Sequence, residues 1–496
     1  LKKAISAFAT VVLLITFTFS ASAEPYQNFT YNHQGNTQAE PQAMIPTRVI
    51  SGISLGISRL SEPQDVFVTD DGTTFIADTG NNRIVVIDKD YRLVKVISGF
   101  NNGESGWDTF NKPTGLFVTK DGLLYIADSQ NGRIVVLDDE GLLVRIYGIP
   151  QSPLIGENFE YIPLKIAVDS AKRLNVVAKD MEKGIIQLNQ EGRFIRFFGA
   201  IPTPPNLLNS IVRAIGTEEM KKSLVANIPT VYSNVAIDSK DFIYGTVGSV
   251  DSQKYDVSRM LVRKLNPAGS NILKHYGNVP VYGTGQYVDT SEWPWISVAP
   301  FMCDIAVNNK GMYAVLDQRT AHVFTYDDNG ILLFTFGSKA SVNDPKMGQF
   351  GLPVALDYKG DNEMVVLDSM YNQMVVFELT EYGNVISKIT EMNHNHNYTS
   401  IENYIETALK YTSKSELIYN NIGKYYFNQG NYSEALKYFK LGENRTEYSN
   451  SFKYVRRIFM SEYFGILMPV FIVVVIALII RRIRKKRISK TVERMD

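Results

Sequence analysis

Short apolar runs alternate with turn-forming residues along most of the chain, and the pattern repeats. The stretch PQDVFVTDDGTTFIADTGNNRIVVID begins at Pro63, and PTGLFVTKDGLLYIADSQNGRIVVLD begins fifty residues later at Pro113, in the same register and without a gap. Within each copy, runs such as DVFV and RIVVI are separated by turn dipeptides such as DG. This alternation is typical of antiparallel strands joined by tight turns, and each copy has room for four of them.

Four more copies follow, with increasing divergence. They begin at Pro163, Ser233, Cys303 and Pro353, and an insert near 249–258 splits the fourth. A unit of this period usually cannot bury its apolar face alone, so it stacks on copies of itself. Because radial stacking of four-stranded sheets gives a β-propeller, the sequence predicts a mainly β fold with six blades over residues 47–392.

The copies resemble the NHL-repeat family, whose blades carry a proline, a strand, DG and then a stretch like LYIADSQNGRIVVLD. The resemblance covers roughly 50–390 and implies a six-bladed NHL-type β-propeller. It is specific in the first two copies. It is looser in the third and fourth, where the motif Asp is displaced to Asp180 or replaced by Thr246.

Two segments are candidates for the strand that closes the ring. TRVISG (47–52) matches VKVISG (94–99), the predicted outermost strand of the first copy, so an early strand could complete the last blade. The sixth copy also has a candidate of its own, NVISKI (384–389). The sequence leaves both open.

Both ends of the chain carry membrane signals. Residues 1–23 have a basic start, an apolar run and Ala-Ser-Ala before Glu24, which predicts a secretory signal peptide, followed by a linker at 24–46. A transmembrane helix is predicted at 461–480 because Tyr463–Ile480 is uncharged and apolar. The basic tail 481–496 follows directly, and such clusters stay in the cytoplasm. We therefore expect a single-pass, type I protein of the cell membrane with its bulk outside.

A helical stalk is predicted between propeller and membrane, at 400–460. Its apolar residues recur at helical spacing, and ELIYNNIGKYYFNQGNYSEALKYFKLGENR (416–445) resembles a tetratricopeptide repeat. The matching positions are Gly423, Tyr426, Gly430, Tyr432, Ala435 and Phe439. One such repeat is short of a stable solenoid. The stalk is therefore either a spacer or a docking surface for a protein partner.

Charge and motifs exclude several functions. The chain has 51 basic and 51 acidic residues, but the signal and the tail hold an excess of basic ones, so the external part is net negative. This argues against a nucleic-acid partner. Neither a Gly-x-Ser-x-Gly elbow nor a cluster of the five histidines points to catalysis. Asp78, Arg83, Asp128 and Arg133 recur between copies, so we assign them to blade architecture, with Arg as a bridge between blades.

Better candidates for functional residues lie at a position that differs between the copies. Near the start of the innermost strands, at one mouth of the channel, the six copies read Asp65, Gly115, Lys165, Asn234, Asp304 and Val354. Propeller sugar lactonases hold a divalent cation near this place, and Asp65, Asn234 and Asp304 could supply three oxygen ligands for a cation such as Ca²⁺. The charge of Lys165 opposes a metal. The alternative is a polar, water-filled channel with Lys165 paired to an Asp.

A long insert between the fourth and fifth copies, residues 277–302, is the other irregular feature. It concentrates the aromatic residues Tyr282, Tyr287, Trp293, Trp295 and Phe301. Long loops are often functional, and exposed aromatic rings bind sugars and protein partners. The alternative is a plug whose aromatic side chains are buried on the propeller.

Two classes of function remain. In the first, the protein is a non-catalytic binding, scaffold or sensor-accessory protein: the propeller binds a glycan, peptide or protein, and the helices dock a membrane partner such as a transporter or receptor complex. In the second, it is a surface-tethered lactonase or hydrolase with a divalent cation in the channel. Apart from that cation, no cofactor is expected.

Overall fold

The structure is a computed structural model. It describes residues 26–32, 36–156, 159–200, 231–247, 261–274, 287–289, 296–298, 300–341, 346–398, 401–411 and 415–492, and of 287–289, 296–298 and 485–492 only the backbone. The signal peptide predicted at 1–23 lies outside the described residues.

The first strands precede the repeats. They are β1 (Phe29–Tyr31), β2 (Thr37–Ala39) and β3 (Met44–Ser51). Strands β1 and β2 form a two-stranded sheet. The segment predicted as a linker thus contains regular structure, and the first propeller strand begins at Met44.

The six repeats form six separate antiparallel sheets. Blade one has β4 (Asp65–Val68), β5 (Thr74–Asp78), β6 (Arg83–Ile87) and β7 (Leu93–Ile97), followed by a hairpin of β8 (Gly99–Asn101) and β9 (Trp107–Thr109). Blade two has β10 (Pro113–Val118), β11 (Leu124–Asp128), β12 (Arg133–Leu137) and β13 (Leu143–Tyr147). Blade three has β14 (Pro163–Val168), β15 (Leu174–Ala178), β16 (Ile185–Leu188) and β17 (Phe194–Phe198).

The later blades are less regular. Blade four has three described strands, β18 (Tyr232–Ile237), β19 (Ile243–Val247) and β20 (Val262–Leu265), and is followed by a hairpin of β21 (Tyr287–Asp289) and β22 (Ile296–Val298). Blade five has β23 (Met302–Val307), β24 (Met312–Asp317), β25 (His322–Asp327) and β26 (Leu332–Phe336), then the short parallel pair β27 (Ser338–Lys339) and β28 (Gln349–Phe350). Blade six has β29 (Pro353–Lys359), β30 (Glu363–Asp368) and β31 (Gln373–Leu379).

Strand β3 closes the ring. It pairs antiparallel with β31, from Met44 opposite Leu379 to Ser51 opposite Gln373, and becomes the fourth strand of blade six. The alternative candidate, NVISKI, is not a strand: it lies in helix α1 (Glu381–Asn395). Its large buried apolar residues are Tyr382, Val385, Ile386 and Ile389, at i, i+3, i+4 and i+7. This spacing is helical, but it is not evident in a short apolar run.

Apolar residues fill the spaces between neighbouring blades. Each inner strand lies beside the inner strand of the next blade, and β29 lies beside β4, so the ring is complete. One core cluster joins residues of blades six and one, among them Ile50, Val66, Ile76, Leu367 and Met374. The predicted six-bladed β-propeller is confirmed, and its stability comes from these interfaces.

Four more helices follow α1 in the described chain. They are α2 (Ile401–Tyr411), α3 (Glu416–Asn428), α4 (Tyr432–Leu441) and α5 (Arg445–Val492). The side chains of Ser415 and Asn431 cap α3 and α4 by accepting bonds from backbone amides. The two helices pack closely because Gly423 has no side chain. A Cβ at this position would lie 2.6 Å from the ring of Phe439.

Helix α5 contains the predicted span. The stretch Arg445–Arg484 is long and apolar enough to cross a membrane, with a mean hydropathy of 2.9 in its most apolar window, and none of that window is buried. The helix continues into the basic tail as far as Val492.

Candidate functional site

The recurring Asp of the repeat ties together the blades that carry it. Asp128 accepts hydrogen bonds from the Asn111 amide (2.7 Å), the Asn131 side chain (2.8 Å) and Nε of Arg133 (2.7 Å). Asp78 in blade one accepts the equivalent bonds from Ser61, Asn81 and Arg83. These bonds join the second strand to the loop that enters the blade.

Hydroxyl groups bridge neighbouring blades at this motif. Thr79 Oγ1 donates to the carbonyl of Pro113 in the next blade, and Ser129 Oγ donates to that of Pro163, each at 2.6 Å. The arginines bond the Asp of their own blade and the segment that enters it: Arg83 bonds Asp78 and the carbonyl of Ser58. Arg133 bonds Asp128 and also donates twice, at 2.7 and 3.0 Å, to the carboxylate of Asp108 on β9, so it joins blade two to the hairpin that follows blade one.

A cavity of about 930 Å³ lies along the inner strands of the propeller. Its lining runs from the first residues of these strands, such as Asp65 and Asp304, to the turns that follow them, such as Asp71 and Asp121. All six blades contribute to its wall. The four polar residues predicted at the channel mouth all line this cavity, and each is buried: Asp65, Lys165, Asn234 and Asp304.

The strand register corrects the residue that blade six contributes to the channel mouth. Asp65 lies opposite Ala77 and Asp304 opposite Leu316, and in blade six the residue in this place is Ala355, opposite Leu367. Val354 falls within the register shift between Pro353 and Ala355. The predicted Val354 was therefore wrong by one residue.

Lys165 reaches across the ring to Asp65. Its Nζ lies 2.5 Å from Asp65 Oδ1 and 3.1 Å from the carbonyl of Gln64, although the two side chains come from blades three and one. Blade two lies between them and contributes Gly115, where a Cβ would sit 2.3 Å from the carbonyl oxygen of Leu164. Glycine at this position therefore lets the inner strands of blades two and three approach closely. The expected pairing of Lys165 with an Asp is present.

Asn234 and Asp304 form the second pair. The Asn234 side-chain amide donates to Oδ1 of Asp304, and the backbone amide of Ile305 donates to the same oxygen at 2.8 Å. The other oxygen, Oδ2, accepts from the Leu356 amide of blade six at 2.7 Å. Both oxygens of Asp304 are thus engaged by protein donors.

Asp357 is a third carboxylate of the cavity, which the sequence reasoning missed. It lies two residues beyond Ala355 on β29, and its oxygens accept from the backbone amides of Val68 (2.7 Å) and Tyr358 (2.8 Å). A comparison of the copies four residues after the proline position, instead of two, would have found it. That position holds Phe67, Phe117, Ala167, Ala236, Ala306 and Asp357.

The three carboxylates share one structural role. The inner strand of each blade has no partner strand on the channel side, so some of its amides need another acceptor. Asp65 accepts from the Leu116 amide of the next blade at 2.6 Å, just as Asp304 and Asp357 accept from blades six and one. Each carboxylate therefore ties its blade to the following one.

Acid groups outnumber cations in the cluster formed by Asp65, Asp304, Asp357 and Lys165. Burial raises the pKa of Asp304 to about 7, partly offset by Lys165, and raises that of Asp357 to about 8. Burial also raises the pKa of Asp65, against the effect of the Lys165 ammonium. Burial lowers the pKa of Lys165, but Asp65 and Asp304 outweigh it, and the net direction is upward. Lys165 is therefore charged, and Asp304 and Asp357 hold protons near neutral pH.

The donor set does not fit the divalent cation considered from the sequence. Among the residues that the structure describes, no group of three His, Cys, Asp or Glu side chains converges as metal ligands do. Asn234 directs its amide nitrogen at Asp304, and the Lys165 ammonium occupies an oxygen of Asp65. A hard cation needs several free oxygens directed at one point, and these oxygens face amides and an ammonium.

Two phenylalanines add an apolar face to the cavity. Phe67 and Phe117, from blades one and two, line the wall with their ring centroids 5.2 Å apart, and neither is fully buried. Sequence reasoning missed this pair as well, although both residues occupy the same repeat position as Asp357.

The aromatic insert is described only in part. Tyr282, Trp293 and Trp295 lie outside the described residues, and Tyr287 lies in β21, where only the backbone is described. Phe301 is half-buried, and its amide donates to the blade-five Asp317 at 3.0 Å. Its backbone thus fills the role of Ser61 and Asn111 in the earlier blades.

The sequence matches a known family within blade two. Residues 110–137 match the family model of the NHL repeat. The matched stretch includes the first three strands of the blade, with Asp128, Asn131 and Arg133. The similarity to the NHL repeat thus includes the bonded motif described above.

Solved structures with a similar chain path have low identity. A structure titled streptogramin B lyase is 11% identical, with a TM-score of 0.40, over 68% of this chain and 98% of that one. Virginiamycin B lyase from Staphylococcus aureus is 12% identical, with a TM-score of 0.40, over 68% and 100%. A protein of unknown function from Bacteroides thetaiotaomicron is 14% identical, with a TM-score of 0.42, over 72% and 76%. Among curated proteins, none matches the sequence.

Proposed function

We propose that this NHL propeller is a membrane-tethered, non-catalytic binding protein that holds a small ligand in its axial cavity. The cavity carries the proposal: about 930 Å³ lined by all six blades, within the roughly 300–1,000 Å³ of small-molecule sites. Polar groups at one end and the Phe67–Phe117 pair on the wall give it the mixture of apolar surface and few polar contacts that such sites use.

The state of the reactive groups favours binding over catalysis. Cys303 is buried beside the cluster, and its Sγ lies 3.5 Å from the carbonyl oxygen of Leu316 and 3.7 Å from that of Pro353. Burial raises the pKa of this thiol, which keeps it from acting as a thiolate nucleophile. The carboxylates are engaged in blade-to-blade bonds, and the described part of the chain holds no converging set of ligands for the metal of the lactonase alternative.

A side chain that fills the cavity should abolish ligand capture. Ala236 lies on β18 and lines the cavity, so we expect Ala236→Trp to occlude it, whereas Ala268→Trp places the same ring on an exposed turn. The full-length chain in nanodiscs would be incubated with small-molecule extract of the producing cells, and retained compounds identified by mass spectrometry. A compound retained by wild type and Ala268→Trp but lost from Ala236→Trp is expected. If Ala236→Trp retains the same compounds as wild type, the cavity is not the binding site.

In this proposal the propeller is outside the cell and α5 is its anchor. The apolar stretch within α5 is followed by Arg481, Arg482 and Arg484, and such residues favour the cytoplasmic side. In this proposal a response to a ligand passes to a membrane protein docked on the helices α3 and α4.

A small amine-reactive cross-linker that cannot cross the cytoplasmic membrane tests orientation and partner together. Added to intact cells, it should modify exposed stalk lysines such as Lys437 and give a discrete product larger than the chain. Modification only after lysis would contradict the orientation. Modification without a larger product would contradict the docked partner.

A further inference from the structure

The cavity holds three carboxylates but only one ammonium at its polar end. Asp65, Asp304 and Asp357 come from blades one, five and six, and each is tied to its place by a backbone amide of the following blade. Lys165 is bonded to Asp65. The fold thus fixes an excess of acid groups in one cavity.

The groups around the two protonated carboxyls are all identified. Asp304 interacts with Lys165 and Asp65 across the ring, and with the neighbouring Cys303 thiol on its own strand. Asp357 interacts with Asp304 and Asp65, and on its own strand with Tyr358. Lys359, farther along the same strand, is directed away, since its Nζ donates to the carbonyl of Lys89 and lies 3.1 Å from the ring centroid of Tyr91. Lys165 is therefore the one cation that faces the cluster among the described residues.

The wall of the same cavity suits a cation with an apolar part. Phe67 and Phe117 present two rings 5.2 Å apart, and Phe67 lies two residues from Asp65 on the same strand. The negative face of an aromatic ring attracts an ammonium group within about 6 Å. Carboxylates and ammonium groups form strong, charge-assisted contacts.

We propose that the cavity takes an organic ammonium ligand, held between the acid groups at its polar end and the Phe67–Phe117 pair on its wall. This rests on the proposed function and names its ligand class. The positive charge of the ligand faces the acid groups, and its apolar part contacts the phenylalanines. One bound cation favours the ionisation of one protonated carboxyl, whose proton passes to solvent, so the charge of the cavity is unchanged.

A metal ion and an anion fit less well. A divalent cation would need free oxygens directed at one point, and the described residues hold no such group. An anion would meet three carboxylates and would have to compete with Asp65 for Lys165. An organic cation needs no converging set of free oxygens: its charge faces the acid groups and its apolar part contacts the aromatic wall, both of which line the cavity.

The sign of the pH dependence follows from the two carboxyls. Their pKa values are raised to about 7 and about 8, so both hold protons below this range and lose them above it. A cation that displaces one proton binds about tenfold more tightly per pH unit while the carboxyl is protonated. The affinity should therefore rise with pH and level off once both are ionised.

The test uses the full-length chain in detergent and benzyltrimethylammonium, whose charge does not change with pH. Calorimetric titration at about pH 6 and about pH 9 spans the pKa values of the two carboxyls, and two buffers of different ionisation enthalpy count the protons released. Phenylacetate, benzyl alcohol and Ca²⁺ are the comparison probes. Asp357→Asn removes one titrating group, Phe117→Ala removes one ring, and Asp90→Asn changes an exposed carboxylate away from the cavity.

The proposal expects the ammonium probe to bind with proton release at about pH 6 and at least tenfold more tightly at about pH 9. Asp357→Asn should release fewer protons, Phe117→Ala should weaken binding without changing proton release, and Asp90→Asn should match wild type. Binding of phenylacetate, benzyl alcohol or Ca²⁺ in its place would overturn the ligand class while the cavity remains a binding site. Failure of the ammonium probe to bind, or binding without proton release, would overturn it too. The capture experiment with Ala236→Trp decides separately whether the cavity binds anything.

Discussion

Ile50→Asp is expected to abolish the single cooperative unfolding transition of the propeller. Three strands of blade six are consecutive in the sequence, and the fourth, β3, lies about 300 positions earlier. Its seven residue pairs with β31 hold the ring closed. Ile50 is 4% exposed and packs in the core between blades six and one. A buried, unpaired carboxylate there costs several kcal/mol, and an open ring also exposes an unpaired strand edge.

The neighbouring residue supplies the control. Val49 lies on the same strand, opposite Val375, but is 36% exposed. Val49→Asp should therefore retain the cooperative transition, with a loss within about 1 kcal/mol. Near-UV circular dichroism of the full-length chain during heating distinguishes the two. Equal melting curves for both variants would show that strand β3 does not close the ring.

Asp128→Ala should cost about 1–3 kcal/mol of unfolding free energy. The substitution removes the acceptor of three hydrogen bonds, and a buried donor left unsatisfied costs about 1–3 kcal/mol, while Arg133 keeps its ion pair with Asp108. Asp78→Ala should cost at least as much, because it removes the equivalent bonds in blade one and breaks the ion pair of Arg83.

Asp90→Ala is the matched control for this loss. Asp90 is exposed and lies 3.5 Å from an exposed Arg92, and such surface pairs contribute about 0–1 kcal/mol. Urea unfolding of the full-length chain, monitored by far-UV circular dichroism, gives the unfolding free energies of the Asp128, Asp78 and Asp90 variants. A loss at Asp128 no larger than at Asp90 would show that the motif does not stabilise the blade.

The repeat made the blades predictable, and its irregular positions made part of the cavity predictable. The turn dipeptides and apolar runs placed strands β4 to β7 and β10 to β13, because local signals suffice for a hairpin meander. Asp65, Lys165, Asn234 and Asp304 were found because they share one repeat position whose residue differs between most copies.

The partners of those residues could not be predicted. Lys165 meets Asp65 from a hundred positions away, across the intervening blade two. Asp357 belongs to the cluster only because blade six is followed in space by blade one. Such contacts follow from the closure of the ring, and no local sequence pattern predicts them. The secondary structure of NVISKI was ambiguous because a short apolar run has no clear period.

The closing strand also sets the order in which the molecule can be completed. Residues 44–51 are synthesised early, but their partner in β31 follows more than 300 positions later. Contacts of such separation form slowly. Until Leu379 has emerged, β3 has no place in a sheet, and the first five blades have no closed ring to stabilise them. The newly made chain must therefore be kept from aggregating for nearly the whole time of its synthesis.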